Sequence, residues 1–97
     1  MEDPYIGELL RYVSSTYKKH YAQSGQQTIV EIINQGDGIG FSKGNIRKYL
    51  NRYGHKGTVD DARLDILKLL HNALYLLISH DKENENAVDE TGQGDTE

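Results

Sequence analysis

The sequence predicts an all-α protein, a small bundle of about four helices followed by a disordered acidic tail. Three observations predict this class. Apolar residues recur at helical spacing near the start of the chain, a long Leu-rich stretch follows residue 58, and residues typical of helix starts precede both segments. We assign residues 1–81 to a single helical domain and residues 82–97 to the tail.

The first helix is predicted to open at Asp3 as N-cap. Pro4 then occupies the first helical position, where its missing N–H has no intrahelical partner to lose. The helix is expected to end near Lys19. One apolar stripe follows from the spacing of its members: Ile6, Leu9, Leu10, Val13 and Tyr17.

The second helix is short, about Gln27 to Gln35. Four of its residues are β-branched, so a strand is the alternative. The segment lacks clean alternation and stops at Gly36, a natural C-terminal cap, which favours helix. A glycine-rich loop from Gly36 to Phe41 is expected next. It is not a phosphate-binding P-loop, because no Gly-Lys-Ser/Thr follows it.

The third helix is predicted to start at Ser42 as cap and to stop at Gly54, with Ile46, Leu50 and Tyr53 on one apolar face.

Thr58 is predicted to cap the fourth helix, with Asp60 and Asp61 in its first turn, and the helix is expected to run to about His80. Its apolar residues cover roughly 200° of the circumference at about 100° per residue. An ordinary surface helix has a narrower stripe. Either this is the central helix or one side of it meets another subunit, and we favour a homo-oligomer.

Composition narrows the functional classes. The chain has a net charge of −4, yet residues 1–81 carry 10 Lys/Arg against 9 Asp/Glu, so the acidity comes mostly from the tail. There are no cysteines, which excludes disulfides and thiolate metal sites. No signal segment or membrane-spanning apolar run is recognisable, so a cytoplasmic protein without a membrane partner is expected.

A basic segment stands out against this background. Between Ser42 and Thr58 the chain has five Lys/Arg and no carboxylate, interleaved with Tyr and Asn. Lys and Arg supply charge for phosphates, Asn supplies paired hydrogen bonds and Tyr supplies a stacking face. The segment therefore indicates nucleotide or phosphate recognition.

The same segment carries a family resemblance. The order His20-Tyr21, Ile29-x-Glu31 and then Phe41-x-x-Gly44-Asn45-x-x-Lys48-Tyr49-x-x-Arg52-Tyr53-x-His55-Lys56-Gly57 resembles a family of short proteins from tailed bacteriophages. Some members are described as small nucleotide kinases. The match covers about residues 20–80, and one departure is that Gln27 or Thr28 stands where members usually have Pro. The resemblance implies an intracellular phage protein of an infected bacterium, acting in nucleotide metabolism or host takeover.

A ligand or phosphate site is predicted around the third helix. Asn45, Lys48 and Arg52 share a face beside Tyr49. A structural alternative is that Lys48 and Arg52 form ion pairs with Glu31 or Asp61. Within the following turn, His55 and Lys56 either bind an anion next to a helix N-terminus or simply form a turn. The complete set of candidates is Asn45, Lys48, Tyr49, Arg52, His55, Lys56, His20 and Tyr21.

Metal ligation is predicted only weakly, at the carboxylates Glu31, Asp61 and Asp65. Carboxylates on neighbouring helices hold Mg²⁺ in all-helical nucleotide hydrolases, and Mg²⁺ is the cofactor expected if the protein acts on nucleotides. The four histidines lack metal-ligand spacing, and we expect His71 and His80 to lie on the surface. Catalytic residues cannot be assigned from the sequence.

Three functions remain open. The first is a nucleotide-binding protein, with nucleoside monophosphate kinase activity as the enzymatic version; the missing P-loop is the main objection. The second is a non-enzymatic phage protein that inhibits a host protein or sequesters a nucleotide signal. The third is nucleic-acid binding, which ranks last because residues 1–81 have a net charge of only +1.

Overall fold

Four helices make up the regular structure in the described part of the chain. The computed structural model describes residues 1–19, 26–55 and 57–85, and the helices are α1 (Asp3–Lys19), α2 (Gln26–Asn34), α3 (Gly38–Arg52) and α4 (Val59–Glu83). The predicted all-α fold is confirmed. Helix α4 continues three residues beyond its predicted end at His80, and residues 86–97 of the predicted tail lie outside the described residues.

Two helix ends follow the signals in the local sequence. At the start of α4, the Thr58 N–H donates to Asp61 Oδ2 (2.9 Å) and the Asp61 N–H donates to Thr58 Oγ1 (3.1 Å), which is a complete capping box. At the end of α2, Gly36 adopts φ 88° and its N–H donates to the Ile33 carbonyl, while Asp37 N–H donates to the Ile32 carbonyl. This is a Schellman motif, so the predicted glycine cap is confirmed.

The predicted start of α3 at Ser42 is wrong. The helix begins four residues earlier, at Gly38, and the expected glycine-rich loop is reduced to the turn before it. Gly38 stands so close to Ser79 of α4 that a Cβ there would lie 2.2 Å from Ser79 Oγ. Gly38 therefore allows α3 and α4 to approach, and Ser42 is fully buried within α3 instead of capping it.

Contacts along α4 fix the directions of its neighbours. From Gly38–Ser79 to Asn45–Asn72 to Arg52–Asp65, the residue numbers rise in α3 as they fall in α4, so these two helices are antiparallel. Helix α1 runs parallel to α4, because Glu8 binds Arg63 while Tyr12 and Tyr17 contact His71. Helix α4 is thus the central element.

The interior of this chain is unusually polar. Among the described residues, the buried apolar side chains are those of Ile29 and Tyr75. The polar ones are more numerous: Thr16, Ser42, Asp65, His71, Asn72 and Ser79.

The apolar face predicted for α3 does not face the interior, because Leu50 and Tyr53 are exposed. Helix α3 packs instead through Gly38, Asn45, Tyr49 and Arg52, whose partners on α4 are polar or small. In the part of the chain that the structure describes, no helix has both the length and the apolarity needed to cross a membrane.

Candidate functional site

A cavity of about 480 Å³ lies between the four helices. All four helices contribute to its wall, and most of its lining residues are aromatic or polar. The lining residues are Tyr12, Ser15, Thr16, Ile29, Phe41, Asn45, Tyr49, Leu64, Lys68, His71, Asn72 and Tyr75. Its volume falls in the range of about 300–1,000 Å³ that is typical of small-molecule sites.

Two side-chain amides meet at the wall of this cavity. Asn45 Nδ2 donates to Asn72 Oδ1 at 3.1 Å, and Asn72 Nδ2 donates to the Lys68 carbonyl at 2.9 Å. This chain of bonds fixes the orientation of both amides. The Asn45 carboxamide oxygen is left as an acceptor at the cavity wall, so the pair can recognise a ligand that presents both donors and acceptors.

Three cations surround the ring of Tyr49. Lys48 Nζ lies 4.7 Å, Arg52 Cζ 5.2 Å and Lys68 Nζ 5.6 Å from the ring centroid. Arg52 is paired with a carboxylate, but neither lysine forms an ion pair with any carboxylate of the described ranges. Like charges gathered in this way repel one another, and a bound anion would relieve the repulsion.

Arg52 is held by Asp65, not by either carboxylate considered from the sequence. Its Nη2 lies 2.8 Å and its Nε 3.2 Å from Asp65 Oδ1. The Asp65 carboxylate is buried, and its hydrogen bond with Arg52 lowers the pKa of Asp65 below its usual value. Arg52 is therefore largely committed to α4, although it also lines a smaller cavity of about 370 Å³ beside Lys68.

His71 is buried, so the prediction of a surface position is wrong; His80 is exposed as predicted. The imidazole meets Tyr12 and Tyr17 edge-on and lies tilted against Tyr75, with ring centroids 4.7 Å apart. Burial lowers the pKa of His71, because the charged form loses hydration there. A neutral imidazole thus belongs to the cavity wall near pH 7.

This burial makes the stability of the fold dependent on pH. The folded-state pKa of His71 is below the ordinary value of 6.5, so the unfolded chain binds the extra proton more readily. The stability contributed by neutral His71 is complete above about pH 6.5 and is lost as the pH falls below that value. We expect the melting temperature to fall between pH 7 and pH 5, and His71→Gln to flatten this dependence. The exposed His80→Gln is the control, and an unchanged slope in His71→Gln would contradict the assignment.

Of the remaining predicted site residues, the structure describes only His55, which does not line the cavity. His55 is exposed in the turn after α3, and its N–H donates to the Arg52 carbonyl. Both glycines of that turn have positive φ, 78° at Gly54 and 81° at Gly57, and the capping box already uses the N–H groups of Thr58 and Asp61. His20, Tyr21 and Lys56 lie outside the described residues.

Two of the three weak metal candidates have other contacts, and the third is exposed. Asp61 caps α4, Asp65 binds Arg52, and Glu31 is exposed on α2. No group of three or more His, Cys, Asp or Glu side chains suited to a metal ion occurs within residues 1–19, 26–55 and 57–85.

The sequence predicted two of the twelve residues that line the cavity. It identified Asn45 and Tyr49, which line the cavity, and Lys48, which lies over Tyr49. It did not predict the lining residues on α1 and α2, nor four polar or aromatic ones on α4: Lys68, His71, Asn72 and Tyr75. Their common signal was a polar set at helical spacing inside a Leu-rich segment.

Comparison with family models, curated proteins and solved structures finds no match to this chain.

Proposed function

We propose that this protein binds a nucleotide in the cavity between its four helices. The base enters among the aromatic rings beside the Asn45–Asn72 pair, and the phosphate lies at Lys48 and Lys68. The position of Tyr49 carries the proposal. Its ring lines the cavity and also lies near both lysines, so the site for the base and the site for the phosphate are adjacent there.

The cavity wall suits a nucleobase in shape and in chemistry. Tyr12, Tyr49 and Tyr75 supply ring faces and edges, and a base stacked on one aromatic side chain gains about 1–3 kcal/mol. The amides supply directional hydrogen bonds that a purely apolar ligand would leave unused. Because buried amides without partners are costly, a ligand with a hydrogen-bonding edge is favoured over a lipid or a hydrocarbon.

The lysines suit a phosphate. Each ammonium group carries a full charge and three donors, and a flexible stem lets both converge on one anion. Asp65 forms an ion pair with Arg52 and also attracts Lys68, but neither lysine is ion-paired within the described ranges, so both ammonium groups can bind a phosphate. Mg²⁺ would accompany a di- or triphosphate as a counterion held mainly by the phosphate oxygens.

We further propose that the chain is a phage-type protein of nucleotide metabolism. It would act in the cytoplasm of an infected bacterium, as a homo-oligomer held by its last helix. Two versions of the proposal differ in turnover: a nucleoside monophosphate kinase forms product, whereas a protein that sequesters a nucleotide signal only binds. The exposed apolar residues of α4 support the proposed contact with another protein, and a second copy of the chain is the preferred partner.

The test is a thermal-shift screen of the full chain with nucleoside mono-, di- and triphosphates and cyclic nucleotides, with and without Mg²⁺. A ligand that binds the native state raises the melting temperature by mass action. We expect a selective shift that Lys48→Ala reduces and Lys43→Ala preserves. Lys43 is the matched control, because it is an exposed lysine on the same helix and lines none of the cavities described above.

The outcome separates the alternatives. No shift with any nucleotide would refute the proposal and make protein binding the leading function. A shift followed by product formation would indicate an enzyme, and a shift without product would indicate sequestration.

A further inference from the structure

The outward face of α4 is apolar, whereas its inward face is largely polar. Val59, Ile66, Leu70 and Leu77 are exposed by 84%, 42%, 39% and 59%. On the opposite side, the same helix buries Asp65, Asn72 and Ser79. Exposed apolar side chains in a row on one helix mark a surface that another molecule covers.

These residues follow the spacing of a helix-pairing seam. Val59, Arg63, Ile66, Leu70, Ala73 and Leu77, here called the α4 seam, succeed one another at intervals of four, three, four, three and four residues. This alternation keeps the side chains on one line and is typical of two helices packed along their length. The seam extends over about 27 Å at 1.5 Å per residue.

The chain's own remaining residues do not suit this seam. Those outside the described ranges are 20–25, 56 and 86–97, and their apolar members are Tyr21, Ala22, Ala87 and Val88. The last of these segments is acidic, with four carboxylates and no lysine or arginine. A segment of that composition has too little apolar surface to cover four large aliphatic side chains.

We infer that the α4 seam packs against the same seam of a second copy of the chain, with the two helices antiparallel. This inference rests on the self-association proposed above, and it specifies how the two α4 helices are arranged. In the antiparallel arrangement, Val59 faces Leu77 of the second copy, Ile66 faces Leu70, and Arg63 faces Ala73. Every residue of the seam has a counterpart, because its spacing reads the same in both directions.

Charge selects this direction over the parallel one. A parallel pair would place Arg63 against Arg63 of the second copy, and like charges held together at an interface are destabilising. The antiparallel pair places Arg63 opposite the small side chain of Ala73, where its long stem has room. Arg63 also keeps its bidentate pairing with Glu8 of α1, so no unpaired charge faces the seam.

A groove at the start of α4 fits the far end of the second helix. It has a volume of about 470 Å³ and is open to solvent. Since Val59 faces Leu77 of the second copy, that leucine lies over the groove. The groove is lined by Tyr53, Gly54, Gly57, Thr58, Val59, Ala62, Arg63 and Ile66.

The first experiment measures the mass of the full chain by light scattering. We expect twice the chain mass of 11.0 kDa for the wild type, or an even multiple of it, and a shift to the monomer mass for Leu70→Glu. Leu50→Glu is the matched control, since Leu50 is 61% exposed on α3 and lies outside the seam. A monomeric wild type, or a Leu70→Glu variant that keeps the wild-type mass, would overturn the pairing; a monomer would assign the face to a different protein.

The second experiment tests the direction without relying on a disruptive variant. The chain has no cysteine, so single Val59→Cys and Leu77→Cys variants report only the contacts of those two positions. An antiparallel pair gives cross-links when the two variants are mixed, using a short thiol cross-linker, and few when either is alone. Efficient cross-linking of Val59→Cys with itself would overturn the antiparallel geometry. If the monomeric Leu70→Glu variant still binds a nucleotide, the cavity functions without the helix pairing, and the two proposals can be judged separately.

Discussion

Replacing Gly38 by alanine is expected to destabilise the fold by about 1–3 kcal/mol, the usual cost of forcing extra atoms into a packed contact. The new methyl carbon would lie 2.2 Å from Ser79 Oγ and 2.9 Å from Ser79 Cβ. Ser79 cannot simply rotate away, because its Cβ is fixed to α4 and its hydroxyl donates to the Tyr75 carbonyl. For a domain of this size, the loss corresponds to a fall in melting temperature on the order of 10 °C.

Gly40→Ala is the matched control for this substitution. Gly40 lies in the same first turn of α3, and a Cβ there would meet nothing within 4 Å. Alanine is favoured over glycine in helices by up to about 1 kcal/mol, so Gly40→Ala should leave the melting temperature unchanged or raise it. Equal melting temperatures for the two variants would mean that α3 and α4 do not approach at Gly38. A Gly38→Ala, Ser79→Gly double variant should recover part of the loss.

Reversing the charge at Lys68 is expected to abolish nucleotide binding, with a loss of affinity on the order of 100-fold or more. Lys68→Glu removes a charge-assisted hydrogen bond worth about 1.5–3 kcal/mol and adds repulsion towards the phosphate. The new carboxylate would lie near Arg52 and Lys48, but it would also repel Asp65, which Lys68 attracts. The melting temperature of the variant without ligand therefore has to be measured beside its affinity. Calorimetric titration with the nucleotide selected by the thermal-shift screen measures the effect.

Lys82→Glu is the control for this reversal. It makes the same change on the same helix, at an exposed position near the end of α4. We expect wild-type affinity for this variant and an unaltered helical content for both. If Lys68→Glu binds as tightly as the wild type, the phosphate is not held beside Tyr49 and the proposed orientation of the nucleotide fails.

The parts of the fold that the sequence predicts are those determined by neighbouring residues. The capping box of Thr58 and Asp61 and the cap at Gly36 each need only a few consecutive residues, and both are observed. The start of α3 was missed because glycine has a low helix propensity, so Gly38 and Gly40 indicated a loop. The reason for Gly38 lies on another helix, at Ser79, and no local pattern contains it.

The residues of the candidate site were likewise predicted only where the signal lies within one helix. Helical spacing placed Asn45 beside Tyr49, and both line the cavity. Their partners Lys68 and Asn72 depend on how far α3 is shifted along α4, and spacing within one helix carries no information about that register. The polar residues of α4 were also not expected in the interior, because a Leu-rich helix normally buries its leucines. Here most of its large aliphatic side chains face outwards.

The parallel course of α1 and α4 has an electrostatic consequence. Two helix dipoles that point the same way add, and their positive ends meet where α1 and α4 begin. Four carboxylates are found at that end, on Glu2, Asp3, Asp60 and Asp61. They offset the summed dipoles and make the end unattractive to a phosphate. If the proposed function is correct, an approaching nucleotide would be drawn away from the helix starts and towards the cations around Tyr49.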